Sequence, residues 1–341
     1  MSATTPPIRS DVPHDVAAHP SSPRLPHPYR SRWVAHPFAR FWRRVGVATL
    51  LRDYSELIKL RVTSLIVLSA WAGAYFAAPR AGIAQLSWPV LHALIGISLI
   101  AAGSAALNEV FEHDVDALMR RTAHRPLPAK RMGLVHASMV SGILVFGGAL
   151  YLALYCNLLT GCLALATAIV YLAAYTPLKR VSPVCTFVGA FHGAMPPLLG
   201  WTAIRGRIEL EGLILFAIVF FWQFPHFYSI AWLYREDYQR ANIRMLPVVE
   251  ATGKATSREI VAYSVALLPA SFAPTLLHMS GNLYLFGAAV MGMIFFYFGV
   301  RLAAYKQPLT SGHSKRRARQ LLLATVFYLP LLFGLMMLNS R

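Results

Sequence analysis

Charge is scarce in this chain of 341 residues: only 13% are Asp, Glu, Lys or Arg, and Asp plus Glu number just 14. Soluble domains carry about 25% charged residues, so an ordinary soluble globular domain is excluded. A hydrophobic fraction of 56% and a mean hydropathy of +0.50 point instead to a membrane protein. Cysteine is nearly missing. Cys156, Cys162 and Cys185 have no metal-ligand spacing and lie in or beside apolar segments, so they read as small core residues rather than a disulfide framework. No Ser/His/Asp or Cys/His constellation for nucleophilic catalysis is present. The first 45 residues lack the apolar core and cleavage site of a secretory signal. Asp11, Asp15 and many prolines also make them a poor transit peptide.

What is abundant is apolar length. Beyond an arm over 1–45, rich in Pro, Ser, His and Arg and expected to be disordered and basic, nine segments approach the roughly 20 residues that a membrane helix needs. They are 60–78, 89–108, 134–154, 158–176, 184–203, 210–232, 259–278, 282–301 and 320–338. A backbone in lipid must satisfy its own hydrogen bonds, so these segments are expected to be helices. The net charge of +18 is distributed as topology: 28 of the 32 Lys and Arg fall on the side shared by the N-terminus and the loops after even-numbered helices. That bias places those loops in the cytoplasm. Most of the acids lie there too.

Residues 107–131 gather the chemistry. Glu109, Glu112, Asp114 and Asp116 precede Arg120, Arg121, Arg125, Lys130 and Arg131. Asn108, Glu112 and Asp116 are spaced i, i+4, i+8, which on a helix drifts only about 40° per step and forms one stripe. Three oxygen-bearing side chains in a row suit Mg²⁺, which commonly bridges protein carboxylates to substrate phosphates. A solvated loop between two helices is the competing reading of the same residues. A second polar segment, 234–247, follows the sixth apolar segment and offers Asp237, with Glu236 beside it. Two acid-bearing segments in corresponding positions can clamp a diphosphate between them.

Lys179 and Arg180 after a Pro turn, and Lys59 on the approach to the first helix, are either anion donors or ordinary topology signals. Within the membrane, Phe191-His192 with Pro196-Pro197, and Trp222 with Pro225-His226, interrupt apolar helices, and such groups commonly line a cavity. His226 lies eleven residues before Asp237, about 16 Å along a helix. It either contacts or ligates a haem-type substrate below the metal site or is satisfied by an interhelical hydrogen bond.

Taken together, Asn108-x3-Glu112-x3-Asp116, Thr122-x2-Arg125-Pro-Leu, Tyr175-Thr-x-Leu-Lys-Arg, Pro196-Pro-x2-Gly200-Trp, Trp222-x2-Pro-His226-Phe and Asp237-Tyr-x2-Ala-x3-Met245-Leu-Pro are similar to the motifs of a known family. From about Asp53 to its C-terminus the chain resembles the UbiA-type intramembrane prenyltransferases, and within them the branch that farnesylates protoheme IX. Two positions depart from the superfamily pattern: Glu112 stands where Asp is usual, and Ala241 where many members have a second Asp. The latter leaves any second metal site short of ligands, to be completed by Asn242 or substrate oxygens.

The resemblance implies an all-α, polytopic bundle of nine transmembrane helices around a central cavity. It further implies transfer of farnesyl from farnesyl diphosphate to heme b, giving heme O, with Mg²⁺ as cofactor. Asn108, Glu112, Asp116 and Asp237 would hold the metal, and Lys59, Arg120, Arg125 and Lys179 would bind the diphosphate. Tyr175, Phe191 and Trp222 would shelter the cation, and His226 would touch the heme. A bacterial inner membrane is the expected location, and a heme A synthase or a terminal oxidase assembly the expected downstream partner. Two other readings are a related enzyme that prenylates a quinone precursor or chlorophyllide, and an ion-coupled transporter. The Pro-His-Phe and Asp-Tyr…Met-Leu-Pro segments argue against the first. Clustering of the acids at one membrane face argues against the second.

Overall fold

The computed structural model describes residues 46–304 and 309–340; the arm expected over 1–45 lies outside them. Among the described residues every regular element is a helix, and the sole β feature is an isolated bridge between Ser280 and Ser340. In chain order the elements are α1 (Val47–Leu57), α2 (Leu60–Arg80), α3 (Trp88–Asp116), α4 (Leu134–Tyr155), α5 (Leu158–Leu178), α6 (Cys185–Gly193), α7 (Met195–Arg205), α8 (Leu210–Leu233), α9 (Arg235–Arg240), α10 (Leu246–Val249), α11 (Lys254–Leu276), α12 (Asn282–Ala303) and α13 (Gly312–Leu338).

Among the described residues eight of these helices, α2–α5, α8 and α11–α13, are long and apolar enough to cross a membrane unbroken. The ninth expected span, 184–203, is divided. It runs as α6 and α7, which meet at Ala194. Pro196 and Pro197 explain the break: without N–H groups they cannot continue α6, but they fit the first turn of α7, where no intrahelical donor is required. Elsewhere local chemistry sets the ends. Asn157 accepts from the Thr160 N–H to cap α5, and Ser311 accepts from the Ser314 N–H to cap α13.

The bundle is held by close backbone approach and aromatic packing. A Cβ on Gly73 of α2 would lie 1.8 Å from the Pro197 carbonyl oxygen, and one on Gly200 of α7 would lie 1.9 Å from that of Ala70. Only glycine lets these two helices meet backbone to backbone, as small residues do in membrane bundles. Trp201, Tyr284, Phe295, Tyr328 and Phe333 fill the principal core. The outside is as apolar as the inside: on α4, Ile143, Phe146, Leu150 and Leu154 are all exposed. So large an apolar surface faces lipid rather than water. This is a multi-span membrane protein.

α5 contains a π-helical stretch at Val170–Tyr175, immediately before Pro177. Proline leaves the Ala173 carbonyl without its usual i+4 donor, and a wider turn accommodates that loss. Such stretches re-aim side chains, and here Tyr171 and Tyr175 both reach the central cavity.

Candidate active site

One cavity of about 510 Å³ runs inward from the end of the bundle where α3 and α5 terminate. α3 extends well past the 89–108 segment, to Asp116, so Asn108, Glu112 and Asp116 do share one helical stripe, and all three line the cavity. Glu109, next to Asn108 but outside the lining, is fully buried. Its Oε1 accepts from the Leu127 N–H at 3.2 Å, while its Oε2 has no hydrogen-bond partner. That contact ties the 117–133 loop to the helix. Thr122 adds a hydroxyl bond to the Asp116 carbonyl at 2.8 Å. Arg131 bridges the same loop to α1 through Asp53 at 2.8 Å and through Glu56.

Each oxygen-bearing side chain of the stripe meets a base. Lys59 donates to Asn108 Oδ1 at 2.7 Å, Lys179 to both Glu112 oxygens at 2.9 Å, and Arg125 to Asp116 Oδ2 at 2.6 Å. Asn108 in turn donates to Glu112 Oε2 at 2.9 Å and to Thr176 Oγ1 at 3.2 Å, so its amide orientation is fixed. Lys59 sits at the α1–α2 junction in the left-handed region, with φ of 50°, a strained position for a residue with a Cβ. Burial, with Arg125 and Lys179 nearby, pushes its ammonium down to about 7. Burial works against the charge of Lys179 too, but Glu112 outweighs it and holds this ammonium above its ordinary value. Lys179 also stands 4.5 Å from the centre of the Tyr175 ring.

Four bases, Lys59, Arg121, Arg125 and Lys179, line the cavity against two acids, Glu112 and Asp116. The surplus of positive charge suits a polyanion. Among the described residues no three His, Cys, Asp or Glu side chains form a metal-holding cluster. Two carboxylates and an amide on one stripe do fit a hard cation that keeps phosphate or water oxygens among its ligands.

The remaining expected site residues divide. Tyr175, Trp222 and His226 line the cavity, whereas Phe191 does not: it is half exposed and packs edge-on against Phe216. Its neighbour His192 takes the inward position, stacked on Tyr171 with ring centres 4.6 Å apart. Arg120 is exposed and away from the lining; Arg121 lines it and stands over the Tyr234 ring. The second polar segment folds into α9 and α10. It packs on the end of α3 through Val115 and Met119 against Tyr238, Ala241, Ile243 and Met245. Its Arg244 N–H donates to the Lys179 carbonyl at 2.7 Å. The two acid-bearing segments therefore do meet. Asp237 itself pairs with Arg240 and is not a lining residue. Asn242 occupies the left-handed region, which Asn tolerates, and also lies outside the lining.

Away from this charged end the cavity is apolar. Ile97, Leu199, Val219, Leu329 and Phe333 form its walls, with the aromatic and imidazole rings of Tyr171, Trp222 and His226 between them. A site of this form holds an anionic head and a long apolar tail. The sequence model of the UbiA prenyltransferase family matches residues 66–322. This chain belongs to the UbiA prenyltransferase family. It is similar to the protoheme IX farnesyltransferase of Koribacter versatilis, at 57% identity over 87% of this chain and 96% of the relative. It is similar also to that of Solibacter usitatus, at 46% identity over 85% and 99% respectively. Solved structures share the fold. A digeranylgeranylglyceryl phosphate synthase matches with a TM-score of 0.69 at 18% identity, over 85% of this chain and 98% of that one. An Archaeoglobus fulgidus UbiA homologue bound to GPP and Mg²⁺ gives 0.55 at 16% identity, over 83% and 99%. The protein is thus a membrane-integral prenyltransferase.

Proposed function

We propose that this prenyltransferase moves the farnesyl group of farnesyl diphosphate onto a vinyl carbon of protoheme IX (heme b), with addition of water, giving heme O and diphosphate. The observation that carries the reading is the continuity of the cavity. Its basic end suits a diphosphate, and the apolar walls beyond suit both a farnesyl chain and a porphyrin. The 57% identity to a protoheme IX farnesyltransferase selects this acceptor over other prenyl acceptors.

The barrier in such a transfer is charge separation as the allylic C–O bond breaks. Lys59, Lys179, Arg121 and Arg125 hold the diphosphate oxygens by charge-assisted hydrogen bonds, most of them after exchanging a protein partner for a phosphate. Asn108, Glu112 and Asp116 would hold Mg²⁺, which when bound would supply positive charge to the leaving group; Asp237 would join them only on leaving Arg240. Tyr171, Tyr175 and Trp222 present π faces to the developing carbocation and keep water from it. The cytoplasmic orientation of this end follows from the distribution of Lys and Arg, and a bacterial inner membrane is the corresponding location. The product would pass to a heme A synthase or to terminal oxidase assembly.

The acceptor is tested with purified protein in detergent, supplied with farnesyl diphosphate, Mg²⁺ and either heme b or 4-hydroxybenzoate. Farnesylated heme is the expected product. Prenylated 4-hydroxybenzoate without farnesylated heme would overturn the assignment.

A further inference from the structure

His226 is built into the cavity wall with unusual definition. Its Nδ1 lies 2.8 Å from Thr325 Oγ1, on α13 across the bundle. The Thr325 hydroxyl proton is already committed, since Oγ1 also lies 2.7 Å from the Leu322 carbonyl oxygen, which can only accept. Thr325 Oγ1 is therefore the acceptor at His226, and Nδ1 carries the imidazole proton. Nε2 is left with its lone pair, and among the described residues no hydrogen bond is made to it. The ring is also fixed in plane. Trp222 stacks on it at 4.6 Å and 19°, and Trp222 Nε1 donates to the Thr325 carbonyl at 2.8 Å. Thr325, fully buried, thus sets the tautomer of the imidazole through its hydroxyl and the position of the flanking indole through its carbonyl.

An imidazole in a cavity wall whose Nδ1–H is donated to a fixed acceptor, and whose Nε2 takes no hydrogen bond, has the arrangement typical of a metal ligand. Glu112 and Asp116 belong to the other, charged part of the lining, where hard oxygen donors gather. Nitrogen donors suit iron. Resting on the heme-farnesylating reading above, we infer that His226 Nε2 ligates the iron of the porphyrin substrate, with Thr325 and Trp222 as positioning residues. Ligation fixes the porphyrin in the cavity and so sets how its edge is presented to the prenyl donor. His192 is the other candidate in the same lining. Its Nδ1 lies 3.1 Å from the Val188 carbonyl oxygen of its own helix, so it too presents Nε2, but Tyr171 and Tyr175 both pack on its ring.

The test is a titration of purified wild type, His226→Ala, His192→Ala and Thr325→Val with ferric protoporphyrin IX, and in parallel with metal-free protoporphyrin IX. Soret absorption and EPR follow the iron. His226→Ala is expected to lose the imidazole–iron signature and to recover it with added imidazole. It should bind ferric protoporphyrin at least tenfold more weakly, while its affinity for the metal-free porphyrin stays at the wild-type value. Thr325→Val should weaken ferric binding about tenfold, as loss of a ligand's outer hydrogen bond does. An unchanged iron spectrum in His226→Ala, or loss in His192→Ala instead, would overturn the inference while farnesylation of heme by wild type still stood. Equal loss of both porphyrins in His226→Ala would reduce the residue to a structural role. A wild-type protein that neither binds nor farnesylates heme would remove the underlying reading as well.

Discussion

The ammonium of Lys179 lies 2.9 Å from both carboxylate oxygens of Glu112 and joins residues 67 positions apart. Both side chains are largely buried, at 15% and 13% exposure, so each is the other's principal compensation for leaving water. Removing either strands the other. Lys179→Met is expected to raise the KM for farnesyl diphosphate about tenfold or more and to lower thermal stability. Lys179→Met with Glu112→Gln should be less destabilised than the sum of the two singles. A double-mutant cycle should return a coupling of about 0.5–3 kcal/mol, and a coupling of zero would remove the pair as a unit.

Glu109 acts on the site without entering its lining. Its carboxylate accepts the Leu127 N–H and so anchors the loop that delivers Arg125 to Asp116. Glu109→Gln keeps an acceptor and should be mild. Glu109→Leu leaves the buried Leu127 donor unpaired, at a cost of about 1–3 kcal/mol, and should raise the KM for farnesyl diphosphate more than it lowers kcat. Steady-state kinetics of the two variants side by side separates the loop-anchoring role from simple bulk.

The contact of α2 with α7 predicts a sharp steric limit. Gly73→Ala and Gly200→Ala each push a methyl group into a carbonyl oxygen of the facing backbone. A backbone cannot step aside as a flexible side chain can, so the cost should reach or exceed the upper end of the usual 1–3 kcal/mol for overpacking. Gly142→Ala, with open space around it, is the matched control. The yield of monodisperse protein in detergent and its melting temperature report the difference.

Acid should weaken the far end of the bundle. Glu209 accepts from Arg205, Trp201 and Arg207. The Arg205 hydrogen bonds, with those from Trp201 and Arg207, hold its carboxyl down to about 2. The unfolded chain, with an ordinary carboxyl, takes up this proton first. The stabilisation is therefore complete above the ordinary carboxylate range and is lost as pH falls from there towards 2. Glu209→Gln should be less stable than wild type at pH 7, with the difference shrinking as pH is lowered through that window. Melting temperatures at several pH values test the sign.

Much of this was legible in the chain, and what was not has a physical reason. Asn108, Glu112 and Asp116 converge because their spacing is a local property of one helix. The apolar segments declared the bundle because lipid leaves the backbone no alternative. What failed to show was direction at single-residue resolution. Phe191 and His192 are adjacent, and a rotation of about 100° between neighbours decides which one faces the cavity. Arg120 and Arg121 are also adjacent, on a non-helical loop whose course depends on Glu109 and Thr122. Asp237 looks inward by sequence position, yet Arg240, one turn on, engages it. The polar position of His192 inside an apolar segment was the one available signal for the residue that took the place of Phe191.

If the stripe on α3 activates a farnesyl donor for attack by heme, diphosphate release and prenylation are lost together when the stripe is broken. Diphosphate release and farnesylated heme are quantified together in wild type and in Asp116→Asn, at saturating Mg²⁺. Wild type should yield the two products in equal amounts. Asp116→Asn should slow both about 10²–10³-fold, the scale expected for loss of one group stabilising transition-state charge, while still binding heme. Full production of farnesylated heme by Asp116→Asn would show that the stripe does not activate the donor.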